Sequence, residues 1–469
     1  MSRSISGKRL LKNVSLSIAA QVVSLFVAFI LNLIVPKFIS EYDYAYWQTY
    51  VLYASYVGIL HFGILDGIVL RYSQFDYDEL DHKLFRSQFF ILFVIDAICS
   101  IAIIAVSAIM LKGPYLVAAV FVALATISKN IIKYSTYCLQ ITNRIKEYAI
   151  VAIIQKLLYG VFVIGVLLLH GRSFYWICIG ELLGEFLAFA WSFKYNRAVY
   201  VGKRVPLKVA FDETKNNISV GVFLLISNWS AMFTIGVTKM IVQWHWDELV
   251  FGKVAFSFSV TSLFLTFVQA ISVVLFPTLK RMDEGKLPDL YAKIRDLMSP
   301  LLVSLLIFYY PGAWILSKWL PKYNESVLYL GILLPIIIYR TRVSLLTNNY
   351  LKAYRKERTL LYINLGSVCV SIFGGLIIAY IFNNIDQMLA FTVLTFMGMS
   401  IVAEYAVGKV INKHFVKENI AECLMTVSFF VCTRYLSKVM GFVVYLVLLC
   451  IYLFINRDVV KQSIKRVMK

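Results

Sequence analysis

Long apolar segments divide this chain, and they restrict its fold more than any other feature. Fourteen runs of predominantly apolar residues follow one another along the 469 residues. A helix rises about 1.5 Å per residue, so about 20 apolar residues cross the roughly 30 Å hydrocarbon core of a bilayer. The composition agrees, because only 15% of the residues are charged, whereas soluble domains contain about 25%. The sequence therefore predicts an all-α polytopic membrane protein.

The predicted crossings are joined by short connections. They lie near residues 13–36, 44–70, 87–111, 114–138, 148–169, 173–193, 217–242, 249–277, 297–317, 326–350, 360–382, 387–408, 419–433 and 440–456. The runs at 387–408 and 419–433 are the least distinct. The first run exceeds the apolar region of a signal peptide and lacks a small-residue cleavage site after it, so it is predicted to be a retained crossing.

Lysine and arginine are distributed unevenly among the connections. With the N-terminus placed inside, the inside segments hold 33 of the 46 Lys and Arg residues and the outside loops hold 7. Such a bias marks the cytoplasmic side of a membrane protein. It predicts a multi-pass protein with both termini in the cytoplasm. The net charge of +20 is then a topology signal, and nucleic-acid binding is not expected.

The connections leave little room for an enzyme. The outside loops are as short as "LKGPY" and "FNNIDQ", so no catalytic domain is expected there. The seven cysteines form no CxxC pair and the five histidines have no ligand spacing, so neither a metal nor another cofactor is expected. No glycine-rich phosphate loop or nucleophile elbow occurs. The predicted class is a transporter rather than an enzyme.

Two stretches suggest related halves. Residues 34–55 and 236–259 each end one crossing with a basic residue, make a short acidic turn and begin the next crossing with small and aromatic residues. If the halves are parallel repeats, crossings 1–6 and 7–12 are equivalent. This predicts a six-helix lobe over 1–200, a second over 201–412, and two additional helices with a tail over 413–469.

Four motifs resemble the Wzx-type flippases of lipid-linked polysaccharides. They are "FGILDGIVLRYS" (62–73), "TKMIV" followed by "LVFGKVAFSFSV" (238–260), "VVLFPTLKRM" (273–282) and "YLKAYRKERTLLYINLGS" (350–367). These flippases belong to a superfamily that includes the MATE multidrug exporters. One departure is that Thr238 precedes Lys239, where the family often has an acidic residue.

The resemblance implies a specific function. It implies two six-helix bundles that form a V, with two extra helices. They would move undecaprenyl-pyrophosphate-linked O-antigen, capsule or related repeat units outward across the bacterial cytoplasmic membrane by alternating access. Besides membrane lipid, a polysaccharide polymerase or chain-length regulator would be a partner.

Two arginines interrupt the tenth crossing. The stretch "SVLYLGILLPIIIY" before Arg340 has the length of about 21 Å of helix, which is too short to cross. A charge at the bilayer centre costs at least about 2.5 kcal/mol. Either Arg340 and Arg342 extend to the inner headgroups, or they face an aqueous cavity and bind the pyrophosphate, which guanidinium groups can hold bidentately. Lys129 and Lys156 are further candidates for such a cationic cavity.

Four acidic residues lie in or near crossings and are candidates for proton or sodium coupling. They are Asp66, Asp96, Glu181 and Glu185. Structural ion pairs are the alternative, with Lys156 as the partner of Glu185 and Lys129 as the partner of Asp96. Lys239 and Lys253 are expected to extend to the outer surface.

Two other functions remain open. A MATE-like cation-coupled exporter would share the fold and would favour acidic residues in its cavity. A polysaccharide polymerase or ligase is less consistent, because such an enzyme needs a larger outside domain or loop. The excess of intramembrane bases favours an anionic substrate.

Overall fold

The computed structural model describes residues 19–281, 285 and 287–457, with the backbone alone at 231 and 266–281. Within these residues the secondary structure is helical and contains no strand, so the all-α prediction is confirmed. The two termini, predicted to be cytoplasmic, lie outside the described residues, as does the end of the motif at 273–282.

The described helical segments follow the order of the predicted crossings. They are α1 (Ala19–Phe38), α2 (Glu41–His61 and Ile64–Tyr72), α3 (His82–Met110), α4 (Gly113–Ile141), α5 (Ile145–Leu168), α6 (Phe174–Val199), α7 (Leu207–His245), α8 (Glu248–Arg281), α9 (Leu287–Trp319), α10 (Pro321–Leu333 and Ile336–Ala353), α11 (Glu357–Phe382), α12 (Ile385–Ile411), α13 (Val416–Tyr435) and α14 (Lys438–Ile455).

Most of these helices can span a membrane. In the part of the chain that is described, ten are long and apolar enough, and thirteen if each bent pair counts as one crossing. The helix outside this set is α13, which covers one of the two least distinct predicted runs. The protein is therefore a multi-pass membrane protein.

Local sequence accounts for several helix ends and breaks. The side chain of Asp81 accepts hydrogen bonds from the first backbone N–H groups of α3, as a helix cap does. Helix α2 breaks at Phe62 and Gly63, which have φ of 51° and 89°, and only glycine adopts such angles without strain. Helix α10 breaks before Pro335, because proline cannot donate the hydrogen bond that would continue the helix.

The chain divides into two compact units, Met1–Trp229 and Ser230–Lys469. The division falls within α7. In the first unit, the hydroxyl of the buried Tyr134 on α4 donates to the carbonyl of Phe85 on α3. In the second, α10 is buried along most of its length, with Tyr339 fully enclosed and hydrogen-bonded to Thr426 of α13. Each unit thus encloses polar contacts between helices.

Candidate functional site

The first unit contains a cluster of charges between α4 and α6, which we call the Lys129 cluster (Ser128, Lys129, Glu181 and Glu185). The Lys129 ammonium lies 2.5 Å from Glu181 Oε1 and 3.1 Å from Glu185 Oε1. The Ser128 hydroxyl donates to Glu185 Oε2 at 2.5 Å. Glu181 and Glu185 are one turn apart, so one lysine reaches both. The lysine partner of Glu185 is therefore Lys129, and not Lys156 as expected.

Lys156 and Asp96 lie outside these direct contacts. Lys156 of α5 is half-buried and acts electrostatically on Glu181. Asp96 of α3 is fully buried and accepts a hydrogen bond of 2.7 Å from the Asn130 amide of α4. The expected pairing of Asp96 with Lys129 is replaced by this amide contact.

Asp66 lies beside the break in α2. Its Oδ2 atom is 3.8 Å from Nε2 of His61, and Lys133 of α4 lies 3.3 Å from the same nitrogen. We call these residues the His61 trio (His61, Asp66 and Lys133). The sequence pattern indicates Asp66 but neither of its neighbours, because they come from a different part of α2 and from α4.

The second unit contains a buried network of four charges, which we call the Arg342 network (Arg295, Arg342, Glu404 and Glu422). Arg295 donates to both oxygens of Glu404, at 2.9 and 3.3 Å. Arg342 donates to Glu422 Oε2 at 2.5 Å and lies 3.4 Å from Glu404. All four side chains are at most 2% exposed. Two positive and two negative charges make the network neutral, which buried charges require.

Polar side chains complete the network. The Ser400 hydroxyl accepts from Arg342 Nε at 2.6 Å, and the Asn419 amide joins Arg342 to Glu404. Ser299 donates a short hydrogen bond to Glu422. The network thus connects α9, α10, α12 and α13. Arg342, one of the four candidate phosphate ligands, already has two carboxylate neighbours here.

Three members of this network are not indicated as site residues by the sequence pattern. The pattern places Arg295 in an inside connection, although it lies in α9, and it does not distinguish Glu404 or Glu422. A signal was present, because each is a charge within or beside an apolar run, and Glu404 lies four residues from Ser400 on the same face of α12. The four charges come from distant segments, so the residues alone did not show that they meet.

Arg340 has different surroundings from Arg342. Its guanidinium lies over the Phe396 ring of α12, 5.8 Å from the centroid, and the residue is half-buried. It acts electrostatically on Lys239 of α7, whose ammonium lies 5.5 Å from the Phe258 ring. Thr238, next to Lys239, is hydrogen-bonded at 3.1 Å to Thr392, one turn before Phe396. Two positive side chains from α7 and α10 thus lie near the same face of α12.

The described residues offer no group of three or more His, Cys, Asp or Glu side chains that could hold a metal ion. Each charge described above instead has protein neighbours. These arrangements can bind an anion or a proton through side chains alone.

Comparisons with known proteins agree with this architecture. Residues 62–320 match the family described as "Polysaccharide biosynthesis protein". No curated protein matches the sequence significantly.

Several solved structures share the fold. A lipid II flippase MurJ in an inward closed conformation aligns over 97% of this chain and 99% of its own, with a TM-score of 0.69 and 12% identity. An inward-facing multidrug resistance MATE transporter of the MOP superfamily aligns over 84% of this chain and 98% of its own, with a TM-score of 0.65 and 11% identity. An outward-facing MATE transporter aligns over 88% and 99%, with a TM-score of 0.58 and 13% identity. With more than half of its length matched by the family, the chain belongs to the polysaccharide biosynthesis proteins and has the transporter fold shared by MurJ and the MATE exporters.

Proposed function

We propose that this protein is a flippase that moves undecaprenyl-pyrophosphate-linked oligosaccharide from the inner to the outer leaflet by alternating access. Membership of a polysaccharide biosynthesis family, in a chain with a transporter fold, carries this proposal. The substrate would be an O-antigen, capsule or related repeat unit. The fold is also that of a protein described as a lipid II flippase, which supports a lipid-linked substrate.

Arg340 and Lys239 are two cations that interact electrostatically, and this arrangement supports an anionic substrate. Two like charges in a medium of low dielectric constant repel each other. A dianionic pyrophosphate beside both would offset this repulsion, and the Arg340 guanidinium would hold its oxygens bidentately. Lys129, Lys156 and Arg342 remain proposed contributors. Lys129 and Arg342 each lie beside two carboxylates, whereas Arg340 lies near a second cation, Lys239.

The proposed setting is the bacterial cytoplasmic membrane, with both termini in the cytoplasm. The Lys and Arg bias supports this orientation. A polysaccharide polymerase or chain-length regulator would act on the product outside. Proton or sodium coupling through Asp66, Asp96, Glu181 or Glu185 is part of the proposal.

A MATE-like cation exporter is the second candidate. The Lys129 cluster favours it, because two carboxylates face one lysine between α4 and α6. An organic cation could replace the lysine ammonium at such a site. The half-buried Lys156 nearby weakens this reading, because it adds a second positive charge.

Reconstitution tests the two candidates against each other. The purified chain is placed in liposomes that contain undecaprenyl-pyrophosphate-linked oligosaccharides, and a membrane-impermeant glycosidase reports sugar that reaches the other leaflet. A fluorescent organic cation serves as the alternative probe, and protein-free liposomes serve as the control. Movement of the oligosaccharide alone supports the flippase, whereas movement of the cation alone would contradict it.

A further inference from the structure

The break in α2 holds three titratable side chains in unusual contact. His61 is fully buried, and its Nδ1 accepts a hydrogen bond of 3.2 Å from the backbone N–H of Gly63. Its Nε2 lies 3.3 Å from the Lys133 ammonium and 3.8 Å from Asp66 Oδ2. One ring nitrogen is thus fixed by the backbone at the break, and the other faces both an amine and a carboxylate.

These contacts restrict where protons can be. A neutral imidazole has one nitrogen that donates and one that accepts. Since Nδ1 accepts from Gly63, Nε2 carries the proton of the neutral ring, and it cannot also accept from a Lys133 ammonium. The proton on Nε2 is directed instead toward the Asp66 carboxylate or toward a neutral Lys133 amine. The three groups therefore cannot all hold their usual solution charges with every contact satisfied.

The Asp66 carboxylate can accept a proton on Oδ2. Its side chain is 6% exposed, and Oδ2 accepts no hydrogen bond from any described residue. A buried carboxylate without full hydrogen bonding costs free energy. Protonation of this oxygen would remove the charge and supply a donor. The trio is therefore built to gain and lose a proton.

The groups around the trio come from three helices. On α4 they are Lys133 and Tyr137, whose ring lies 5.3 Å from the Lys133 ammonium and which interacts electrostatically with Asp66. Helix α3 packs against Val57–His61, and its buried carboxyl, Asp96, accepts a hydrogen bond from Asn130 of α4. On α7 the neighbours are the backbone of Gly221 and Val222, and the ring of Trp229 near Gly58. Lys133 is thus the cation that faces both His61 and Asp66.

We propose that the His61 trio is the proton-binding site that couples this transporter to a proton gradient, an inference that rests on the proposed flippase function. One proton from water forms an O–H bond with Asp66, and the carboxylate becomes a carboxylic acid. Release breaks the same bond and returns the proton to water. No other covalent bond changes.

The position of the trio links protonation to a helix contact. Gly63 and Gly67 lie directly against α7, with the backbone of Val222 and of Asn217 beside them. His61 holds the break through the N–H of Gly63. A change in the charge beside the His61 ring therefore acts where α2 and α7 touch.

Transport with and without a pH gradient tests the proposal. The full-length protein is reconstituted with undecaprenyl-pyrophosphate-linked oligosaccharide as the probe, as wild type and as His61→Asn, Asp66→Asn and Lys133→Met. Asn at position 61 keeps an acceptor for the Gly63 N–H but does not titrate. His245→Gln, which changes a half-buried histidine of the second unit that is hydrogen-bonded to Asn383, is the matched control. We expect the three trio variants to lose stimulation by the gradient while gradient-free exchange continues, and His245→Gln to respond as the wild type does.

A readout without substrate separates this proposal from the proposed function. Infrared difference spectra after a pH step should contain a protonated-carboxyl band that disappears in Asp66→Asn and persists in Asp96→Asn. A full gradient response in Asp66→Asn, or an unchanged band in that variant, overturns the site. If the wild type moves no oligosaccharide, the flippase function fails, and the infrared band alone decides whether Asp66 binds the proton.

Discussion

Arg340 and Arg342 are separated by a single residue but have different surroundings. Arg342 is 2% exposed and contacts two carboxylates, so its charge is balanced inside the second unit. Arg340 is half-buried, and its positive charge interacts unfavourably with that of another cation, Lys239. On an α-helix, residues two apart point in different directions. The same helix can therefore use one arginine for stability and present the other to a ligand.

Substitution of Arg340 tests the proposed phosphate contact. Arg340→Ala should reduce oligosaccharide transport by about tenfold or more, because hydrogen bonds to charged groups contribute about 1.5–3 kcal/mol. Arg340→Lys should retain part of the transport, since lysine keeps the charge but loses the bidentate geometry. The measurement is the initial rate of glycosidase-accessible sugar in liposomes with equal protein content.

Arg358→Ala is the matched control, because Arg358 is an exposed arginine at the start of α11 in the same unit. It should transport at the wild-type rate. Normal transport by Arg340→Ala would show that this arginine only extends to the headgroups, and the cationic site would lose its main residue.

The intramembrane position of these charges could be predicted, but their partners could not. A hydropathy pattern locates Lys129 and Glu185 within crossings, since each interrupts an apolar run. It does not report rotation of one helix against another. Depth along the helices favours Lys156 as the partner of Glu185. In the structure, Glu185 and Glu181 pair with Lys129 instead. The sequence predicted which residues need partners, and only packing determined which partners they have.

The Arg342 network holds four helices of the second unit together. Removal of one partner from a buried ion pair leaves an uncompensated charge, which costs about 3–5 kcal/mol. Glu422→Gln should therefore lower the thermal unfolding temperature of the purified protein strongly. Adding Arg342→Met to Glu422→Gln should recover part of the loss, because the network then holds one positive charge, Arg295, and one negative charge, Glu404.

Lys413→Met provides the comparison for this network. Lys413 pairs with Asp289 at the surface of the same unit, where the two side chains are 35% and 73% exposed. Exposed pairs contribute about 0–1 kcal/mol, so this variant should unfold near the wild-type temperature. Equal unfolding temperatures for Glu422→Gln and Lys413→Met would contradict a stabilising role for the network.

The close contact between helices α2 and α7 depends on glycine. A Cβ atom at Gly67 would lie 2.0 Å from the carbonyl oxygen of Asn217, so Gly67→Ala must separate the two helices. Overpacking of this kind costs about 1–3 kcal/mol. Gly165→Ala in α5 meets no atom within 4 Å and should be neutral or stabilising. The thermal unfolding temperatures of both variants test this prediction. A Gly67→Ala variant that unfolds at the wild-type temperature would show that α2 and α7 are not in close contact.

The helices themselves could be predicted more completely than their breaks. Each predicted crossing overlaps a helix, because a long apolar run in lipid must satisfy its backbone hydrogen bonds internally. The break at Gly63 was not predicted. A glycine within an apolar run is equally compatible with a continuous helix, and the sequence does not show that Gly63 has a positive φ and lies against the backbone of Val222.

Helix α13 is the segment on which the count of crossings depends. It spans Val416–Tyr435 and carries Glu418, Glu422 and Arg434, so it is less apolar than the other crossings. Glu422 is buried against Arg342 and Arg295, and the charge is therefore neutralised by other helices. Arg434 pairs with Asp386 at the start of α12. Polar composition in α13 is thus consistent with a crossing whose polar face is covered by protein.

The orientation of the whole chain can be tested with reporter fusions that are active only in the periplasm. The Lys and Arg bias predicts that both termini and the connection at Asn412 are cytoplasmic. The connection at Leu436, after α13, should then be periplasmic. Fusions at the two termini and after Asn412 should be silent, and a fusion after Leu436 should be active. Activity at the C-terminus together with silence after Leu436 would mean that α13 does not cross, and the chain would have an odd number of crossings.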